Sequence, residues 1–90
     1  MKFEWDPNKA KLNVRKHGVS FEEAVTALKD PMSATGSDPD HSIAEQRYIT
    51  FGLSKRGRLL VVSHTDKGET MRIISARTAS KGERKIYEED

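Results

Sequence analysis

The period of the apolar pattern changes near Arg47, and this change constrains the fold more than any other feature of the chain. Before it, four apolar residues recur at the spacing of an amphipathic helix: Phe21, Ala24, Val25 and Leu28. After it, Ile49, Phe51 and Leu53 occupy every second position, which is typical of a strand. Helices followed by a run of strands indicate an α+β domain.

Cap residues set the bounds of the helices, which we predict at 7–17, 20–29 and 80–88. Asp6 and Gly18 are good residues for the start and the end of the first helix. Ser20 and Glu23 have capping-box spacing, and Pro31 stops the second helix. The third helix begins with the same capping-box spacing, at Ser80 and Glu83.

Three strands are predicted at 47–53, 58–65 and 70–77. Short turns containing glycine separate them, which predicts an antiparallel meander. The continuous apolar run at 59–62 favours a central strand that is covered on both faces. Phe3 and Trp5 share one parity, so a short strand with one apolar face precedes the first helix.

These elements predict one domain over residues 1–90. Its expected architecture is an antiparallel sheet, made of the meander and the N-terminal strand. Two N-terminal helices pack on one face, a C-terminal helix follows, and the other face is partly open. Residues 33–46 read as a polar loop, with a short edge strand near Met32 to Thr35.

Composition excludes several classes of protein. The chain has no cysteine, which excludes disulfides, thiolate metal sites and a cysteine nucleophile. Its three histidines have no ligand spacing, so we expect neither a metal site nor a cofactor. No window approaches the ~20 apolar residues of a membrane span, and the N-terminus has no apolar run. We therefore expect a cytoplasmic protein that does not enter a membrane.

Positive charge is concentrated in the second half of the chain. Residues 48–87 carry nine Lys or Arg against three Asp or Glu, although the whole chain has a net charge of only +2. This imbalance is expected of a surface that meets a polyanion, although a solvated basic sheet face has the same composition.

Two arginines, Arg72 and Arg77, bracket the last predicted strand. Because they have opposite parity in an unbroken strand, we expect one to point towards the helices and the other away. Each is explained either by a salt bridge to a nearby carboxylate or by a phosphate, for which the planar guanidinium is well suited.

Three stretches of the sequence resemble the BrnT toxins of type II toxin–antitoxin systems. They are WDPNKAKLNVRKHGVSFEEA near the start, GLSKRGRLLVVSHT in the middle and RIISARTASKGER near the end. The positions that match the family's pattern are Trp5, Asp6, Lys9, Asn13, Lys16, His17, Gly18, Glu45, Arg47, Gly57, Arg58, Arg72, Ser75, Arg77 and Glu83. The chain departs from the pattern at His64, where many members carry an aromatic residue.

The resemblance implies a RelE-like ribonuclease fold and arrest of translation through RNA cleavage. It also implies neutralisation by a small antitoxin called BrnA, with a ribbon-helix-helix DNA-binding domain that dimerises. The expected assembly then has two toxins and two antitoxins, and it reaches operator DNA only through the antitoxin. We expect that antitoxin to be acidic and to cover the basic sheet face.

RNA cleavage without a metal uses the 2′-hydroxyl of the substrate as nucleophile and leaves extra charge on the phosphorane. Arg72 and Arg77 are our candidates to stabilise that charge. The expected RNA-binding residues are Lys9, Lys16, Arg47 and Arg58. His17, His64, Glu45 and Glu83 are the candidates for general acid or base, and the sequence does not choose between them.

Simpler structural roles compete with several of these assignments. His17 alternatively satisfies the last carbonyls of the first helix. We expect His64 to be an exposed strand residue and Trp5 to belong to the core rather than to an RNA-stacking surface. At the level of the whole protein, the alternatives to a ribonuclease are a non-catalytic nucleic-acid-binding module and a protein-interaction module.

Overall fold

The computed structural model describes residues 1–38 and 46–88, which form a sheet of five strands and three helices. The elements follow in the order β1 (Lys2–Glu4), α1 (Pro7–His17), α2 (Phe21–Leu28), β2 (Ala34–Ser37), β3 (Arg47–Leu53), β4 (Leu59–Lys67), β5 (Thr70–Thr78) and α3 (Lys81–Glu88). The strands lie in the order β1-β5-β4-β3-β2, so β4 is central and β2 is an edge strand. The α+β class predicted from the change of period is confirmed.

The sheet is mixed, and the prediction of a purely antiparallel sheet is wrong. β2, β3, β4 and β5 pair in antiparallel fashion, but β1 runs parallel to β5, with Lys2 opposite Thr70 and Glu4 opposite Arg72. The long connection from β1 to β5 allows either direction. Alternation of side chains identifies β1 as a strand but carries no information on its partner.

Capping residues fix the two N-terminal helices locally. The Asp6 carboxylate accepts a hydrogen bond from the Asn8 amide at 2.8 Å, and Gly18 ends α1 with φ of 68°, where a left-handed residue is needed. Ser20 caps α2 by accepting from the Glu23 amide at 3.0 Å. The predicted reciprocal bond from Glu23 does not form, because the Glu23 carboxylate turns to Ser54 and Arg58 instead.

The core lies between the helices and one face of the sheet. Its buried members are Val19, Phe21, Ala24, Ala27, Leu60, Val62, Ile73 and Ala76. Trp5 packs edge-to-face on Phe21 with the ring centroids 5.9 Å apart, so its predicted place in the core is confirmed. All four residues of the run Leu59–Val62 are buried, as expected of the central strand.

A β-bulge in β5 changes the parity of its side chains. Ser63 of β4 lies opposite Ser75, but the next residue, His64, lies opposite Ile73, so Ile74 is an extra residue. Arg72 and Arg77 therefore both point away from the core residues Ile73 and Ala76, on the sheet face opposite α1 and α2. The prediction that they lie on opposite faces is wrong, because it assumed an unbroken strand.

His64 is 1% exposed, so the prediction of an exposed strand residue is also wrong. It faces the same side of the sheet as Ile73 and stacks on Tyr48, with ring centroids 5.9 Å apart. Its Nε2 lies 2.7 Å from Thr50 Oγ1, and its Nδ1 lies 3.1 Å from Asp66 Oδ1. Burial lowers the pKa of His64, and the Asp66 carboxylate offsets only part of that shift.

Candidate functional site

Three arginines project from the open face of the sheet, the face opposite α1 and α2. Arg47 of β3 and Arg72 of β5 both lie opposite Thr65 of β4, so they flank it in one row across the sheet. Their Cα atoms are separated by two strand spacings, roughly 10 Å. Arg77 lies further along β5, opposite Val61. The open face thus gathers three of the arginines predicted to contact RNA.

The arginines of β5 are paired with carboxylates. Arg72 Nη1 donates to Glu4 Oε2 at 2.9 Å, and the two side chains are 43% and 51% exposed. Arg77 donates to both oxygens of Glu83, at 2.7 and 2.8 Å. These are the salt bridges of the simpler interpretation, and such exposed pairs contribute little to stability. The two arginines keep their predicted catalytic roles as proposals.

Glu83 is held in its charged form. The bidentate bond from Arg77 and the backbone amide of Ser80 lower the pKa of Glu83 to about 2. Its amide in turn donates to Ser80 Oγ at 3.2 Å, and its carboxylate accepts from Ser80 N at 2.9 Å, which completes the capping box. A carboxylate with so low a pKa is a poor proton donor and a weak base near neutral pH.

A groove between α1 and β5 lies beside the bulge. It has a volume of about 170 Å³ and is lined by Lys9, Leu12, Asn13, Lys16, His17, Ile74 and Ser75. Within the described residues, Lys9 and Lys16 have no ion-pair partner, and both are exposed. Ser75 directly follows the extra residue of the bulge, and in the sequence it lies between Arg72 and Arg77. Because Ser75 lines the groove, the groove adjoins the open face along the outer edge of β5. β1 pairs with residues 70–72 of this edge.

Asn13 fixes the wall of this groove. It is 5% exposed, and its Nδ2 donates to Val19 O at 2.8 Å and to Ala76 O at 2.7 Å. Its Oδ1 accepts from Ala76 N at 3.1 Å. The side chain thereby ties α1 to the strand just beyond the bulge. Sequence reasoning gave Asn13 no role, although its polar side chain on the inward side of a helix was an available signal.

The four acid–base candidates fall in different places. His17 is exposed, lines the groove, and has no hydrogen-bond partner within residues 1–38 and 46–88. His64 is buried on the helix side of the sheet, and Glu83 is paired with Arg77. Glu45 lies outside the described residues. His17 is therefore the candidate that the described structure leaves both exposed and beside the basic groove.

Comparison with known proteins gives the family. A family model described as "Ribonuclease toxin, BrnT, of type II toxin-antitoxin system" matches residues 5–83. The chain belongs to the BrnT family. The crystal structure of the Brucella abortus ribonuclease toxin BrnT is similar, with a TM-score of 0.66 and 26% sequence identity. That alignment covers 90% of this chain and 99% of the Brucella chain. No curated protein matches.

Membership of the BrnT family confirms the resemblance found in the sequence. The family consists of ribonuclease toxins of type II toxin–antitoxin systems, so the chain has an antitoxin partner and RNA as its substrate. The matched region contains the groove residues, the arginines of β3 and β5, and Glu83.

Arg58 of this BrnT chain lies away from the open face, in a network under α2. Its Nε donates to Glu23 Oε2 at 2.9 Å, and its Nη2 pairs with Glu23 Oε1 and donates to Gly18 O at 3.0 Å. Glu23 is 7% exposed, and the hydrogen bond from Arg58 is the main reason that its pKa is lowered. The RNA-binding role of Arg58 stays a prediction, but its contacts give it a structural role.

Residues 1–38 and 46–88 contain no group of three or more His, Cys, Asp or Glu that could hold a metal ion. Over the same residues, no helix is long and apolar enough to cross a membrane.

Proposed function

We propose that this BrnT chain is a metal-independent endoribonuclease that cleaves messenger RNA and arrests translation in the cytoplasm. The observation that carries the proposal is the placement of Arg72 and Arg77 on one sheet face by the bulge. Two guanidinium groups on one face can contact the same short stretch of RNA.

The positive groups lie on two sides of the outer edge of β5. Lys9, Lys16 and His17 lie on the groove side of this edge, and the two arginines lie on its open face. Arg47 extends this set across the sheet. In the proposed complex the scissile phosphate lies between Arg72 and Arg77, next to Ser75, and the lysines hold neighbouring phosphates.

The proposed chemistry needs neither a metal ion nor a cofactor. His17 accepts the proton of the 2′-hydroxyl, the 2′-oxygen bonds to phosphorus, and the bond from phosphorus to the 5′-oxygen breaks. Solvent water protonates the leaving 5′-oxygen, and His17 later returns its proton to the solvent, so the products end in a 2′,3′-cyclic phosphate and a 5′-hydroxyl. The arginines stabilise the additional negative charge of the phosphorane, a contribution on the order of 3 kcal/mol per group.

The same surface explains how a partner silences the toxin. A BrnA-like antitoxin with an acidic segment covers the basic face and competes directly with RNA. Its ribbon-helix-helix domain dimerises, which gives an assembly of two toxins and two antitoxins. That assembly binds operator DNA through the antitoxin and represses the operon.

The test compares Arg72→Ala and Arg77→Ala with Arg56→Ala, whose side chain is 70% exposed on the turn between β3 and β4. Each full-length variant is expressed without antitoxin, and its growth arrest and RNA cleavage are measured with and without a chelator. We expect both β5 variants to lose cleavage by at least about a hundredfold while remaining folded, and Arg56→Ala to match the wild type. Cleavage should be unchanged by the chelator.

Full toxicity of both β5 variants would refute the phosphate role. RNA binding without any cleavage would favour the non-catalytic nucleic-acid-binding module instead. Loss of cleavage on chelation would refute metal independence alone.

A further inference from the structure

The C-terminal helix α3 is docked through two polar side chains. Glu83 and Tyr87, one helical turn apart, are half-buried, and every other residue of Lys81–Glu88 is exposed, Ile86 by 66%. No residue of α3 is buried. A helix without a buried apolar face has little holding it against the sheet.

Each of the two polar side chains attaches one end of α3 to another part of the protein. Glu83 makes the bidentate bond to Arg77 at the start of α3. Near its other end, the Tyr87 hydroxyl donates to Asp30 Oδ2 at 2.7 Å. The same oxygen of Asp30 accepts from the Leu53 amide at 2.8 Å, so Tyr87 binds an acceptor that is fixed to the end of β3.

The bond at the start of α3 occupies the atoms that a phosphate needs. Arg77 donates from Nη1 to one oxygen of Glu83 and from Nη2 to the other. Carboxylate and phosphate oxygens bind the guanidinium fork in the same way, so the two anions compete for it. Glu83 therefore stands where the substrate phosphate binds in the proposed reaction.

We propose that α3 is a lid that regulates the phosphate site. When α3 is docked, Glu83 blocks Arg77. When the bonds of Glu83 and Tyr87 open, α3 swings away about the Ala79–Ser80 connection and Arg77 receives RNA. The inference rests on the proposed phosphate role of Arg77 and adds a closed state to it. RNA competes successfully because Arg72 and the lysines of the groove add to its attraction and do nothing for Glu83.

The first variant to test is Glu83→Gln in the full-length toxin. Glutamine keeps the capping box with Ser80 but removes the charge that competes for Arg77. Because a masked site lowers apparent affinity by the fraction of open molecules, we expect the variant to bind a short RNA about fivefold more tightly and to cleave it faster. Tyr87→Phe removes only the second contact and should change both quantities in the same direction, by less.

The matched control is Arg84→Gln, on the exposed side of α3, where Arg84 is 54% exposed and pairs with Glu88 at 3.6 Å. It should leave RNA affinity and cleavage unchanged. Hydrogen exchange of the α3 amides supplies a readout that does not depend on cleavage. Exchange should be faster in Glu83→Gln and Tyr87→Phe than in the wild type, and RNA should accelerate it in the wild type.

Two results would contradict the proposal that α3 is a lid. One is equal or weaker RNA binding by Glu83→Gln, which would mean that Glu83 orients Arg77 for the substrate. The other is stronger protection of α3 when RNA binds. The Arg77→Ala variant distinguishes a failure of the lid proposal from a failure of the proposed function. If Arg77→Ala cleaves normally, the phosphate role is wrong; if it is inactive while Glu83→Gln gains nothing, the lid alone is wrong.

Discussion

Asn13 holds Ala76 as a neighbouring strand would. The amide of one side chain donates to Ala76 O at 2.7 Å and accepts from Ala76 N at 3.1 Å. A helix residue thus supplies the hydrogen bonds of a strand at the point where β1 no longer accompanies β5. This contact holds α1 against β5 two residues beyond the bulge that places Arg72 and Arg77 on one face.

Replacing Asn13 by alanine should destabilise the fold. Three backbone groups lose their partner in a buried position, so we expect the free energy of unfolding to fall by about 3 kcal/mol. Urea unfolding measures the loss, and hydrogen exchange at Ala76 should rise with it. Asn8→Ala, on the exposed first turn of the same helix, is the control and should change stability little. A loss near zero for Asn13→Ala would contradict the role assigned to this side chain.

Arg58→Ala should lower the free energy of unfolding and not only weaken RNA binding. The substitution leaves the buried Glu23 carboxylate without its main partner, a loss on the order of 3 kcal/mol. The matched control is Arg56→Ala, which removes a distant contact at 3.6 Å from a side chain that is 70% exposed. Its expected cost is below about 1 kcal/mol. Equal unfolding midpoints for the two variants would argue against the structural network.

Gly52→Ala should be costly because α2 approaches β3 closely. A Cβ at Gly52 would lie 2.2 Å from the carbonyl oxygen of Ala27. Relieving this clash requires a shift of the α2 backbone, which costs free energy because the helix is packed against the sheet. We expect a loss of about 2 kcal/mol or more by thermal or urea unfolding. Gly36→Ala meets no atom within 4 Å and should be neutral or slightly stabilising. If both variants behaved alike, the close approach of α2 would be refuted.

Stability should decline as the pH falls through the ordinary pKa of histidine. Burial lowers the pKa of His64 in the folded state, so the unfolded chain takes up a proton first, near pH 6.5. The loss grows as the pH falls and levels off below the folded pKa. Urea unfolding at a series of pH values from 8 to 5 measures it. His64→Phe should lose this part of the pH dependence, and His17→Gln, at an exposed position, should keep it.

Local sequence signals predicted the helix caps, whereas the bulge in β5 and the pairing of β1 depend on contacts between distant parts of the chain. Asp6, Gly18 and Ser80 act through neighbours within a few residues, so their roles follow from spacing alone. The bulge does not, because Ile73 and Ile74 fit an unbroken strand equally well and the extra residue is visible only in how β5 pairs with β4. The parallel pairing of β1 was hidden for the same reason.

The same contrast between local signals and long-range contacts holds for the candidate site. The residue types of Arg72, Arg77 and His17 were enough to nominate them, and their family pattern placed them in a ribonuclease. The partner of Arg72 depends on the pairing of β1 with β5, so no spacing in the sequence revealed Glu4. His64 was misplaced because a histidine in a strand is usually at the surface, whereas Thr50 and Asp66 satisfy both of its ring nitrogens here.

The pairing of residues 2–4 with residues 70–72 bears on when the toxin becomes dangerous during its synthesis. A ribosome delivers the chain from its N-terminus, so β1 is made long before the strand beside which it lies. Arg72 and Arg77 belong to that late strand. β1 therefore gains its neighbouring strand only with the segment that carries the arginines proposed to bind phosphate, and we expect nascent chains stalled before Thr70 to leave Lys2–Glu4 open to protease. A cell making this protein meets Arg72 and Arg77 in a folded sheet only after β5 has been translated.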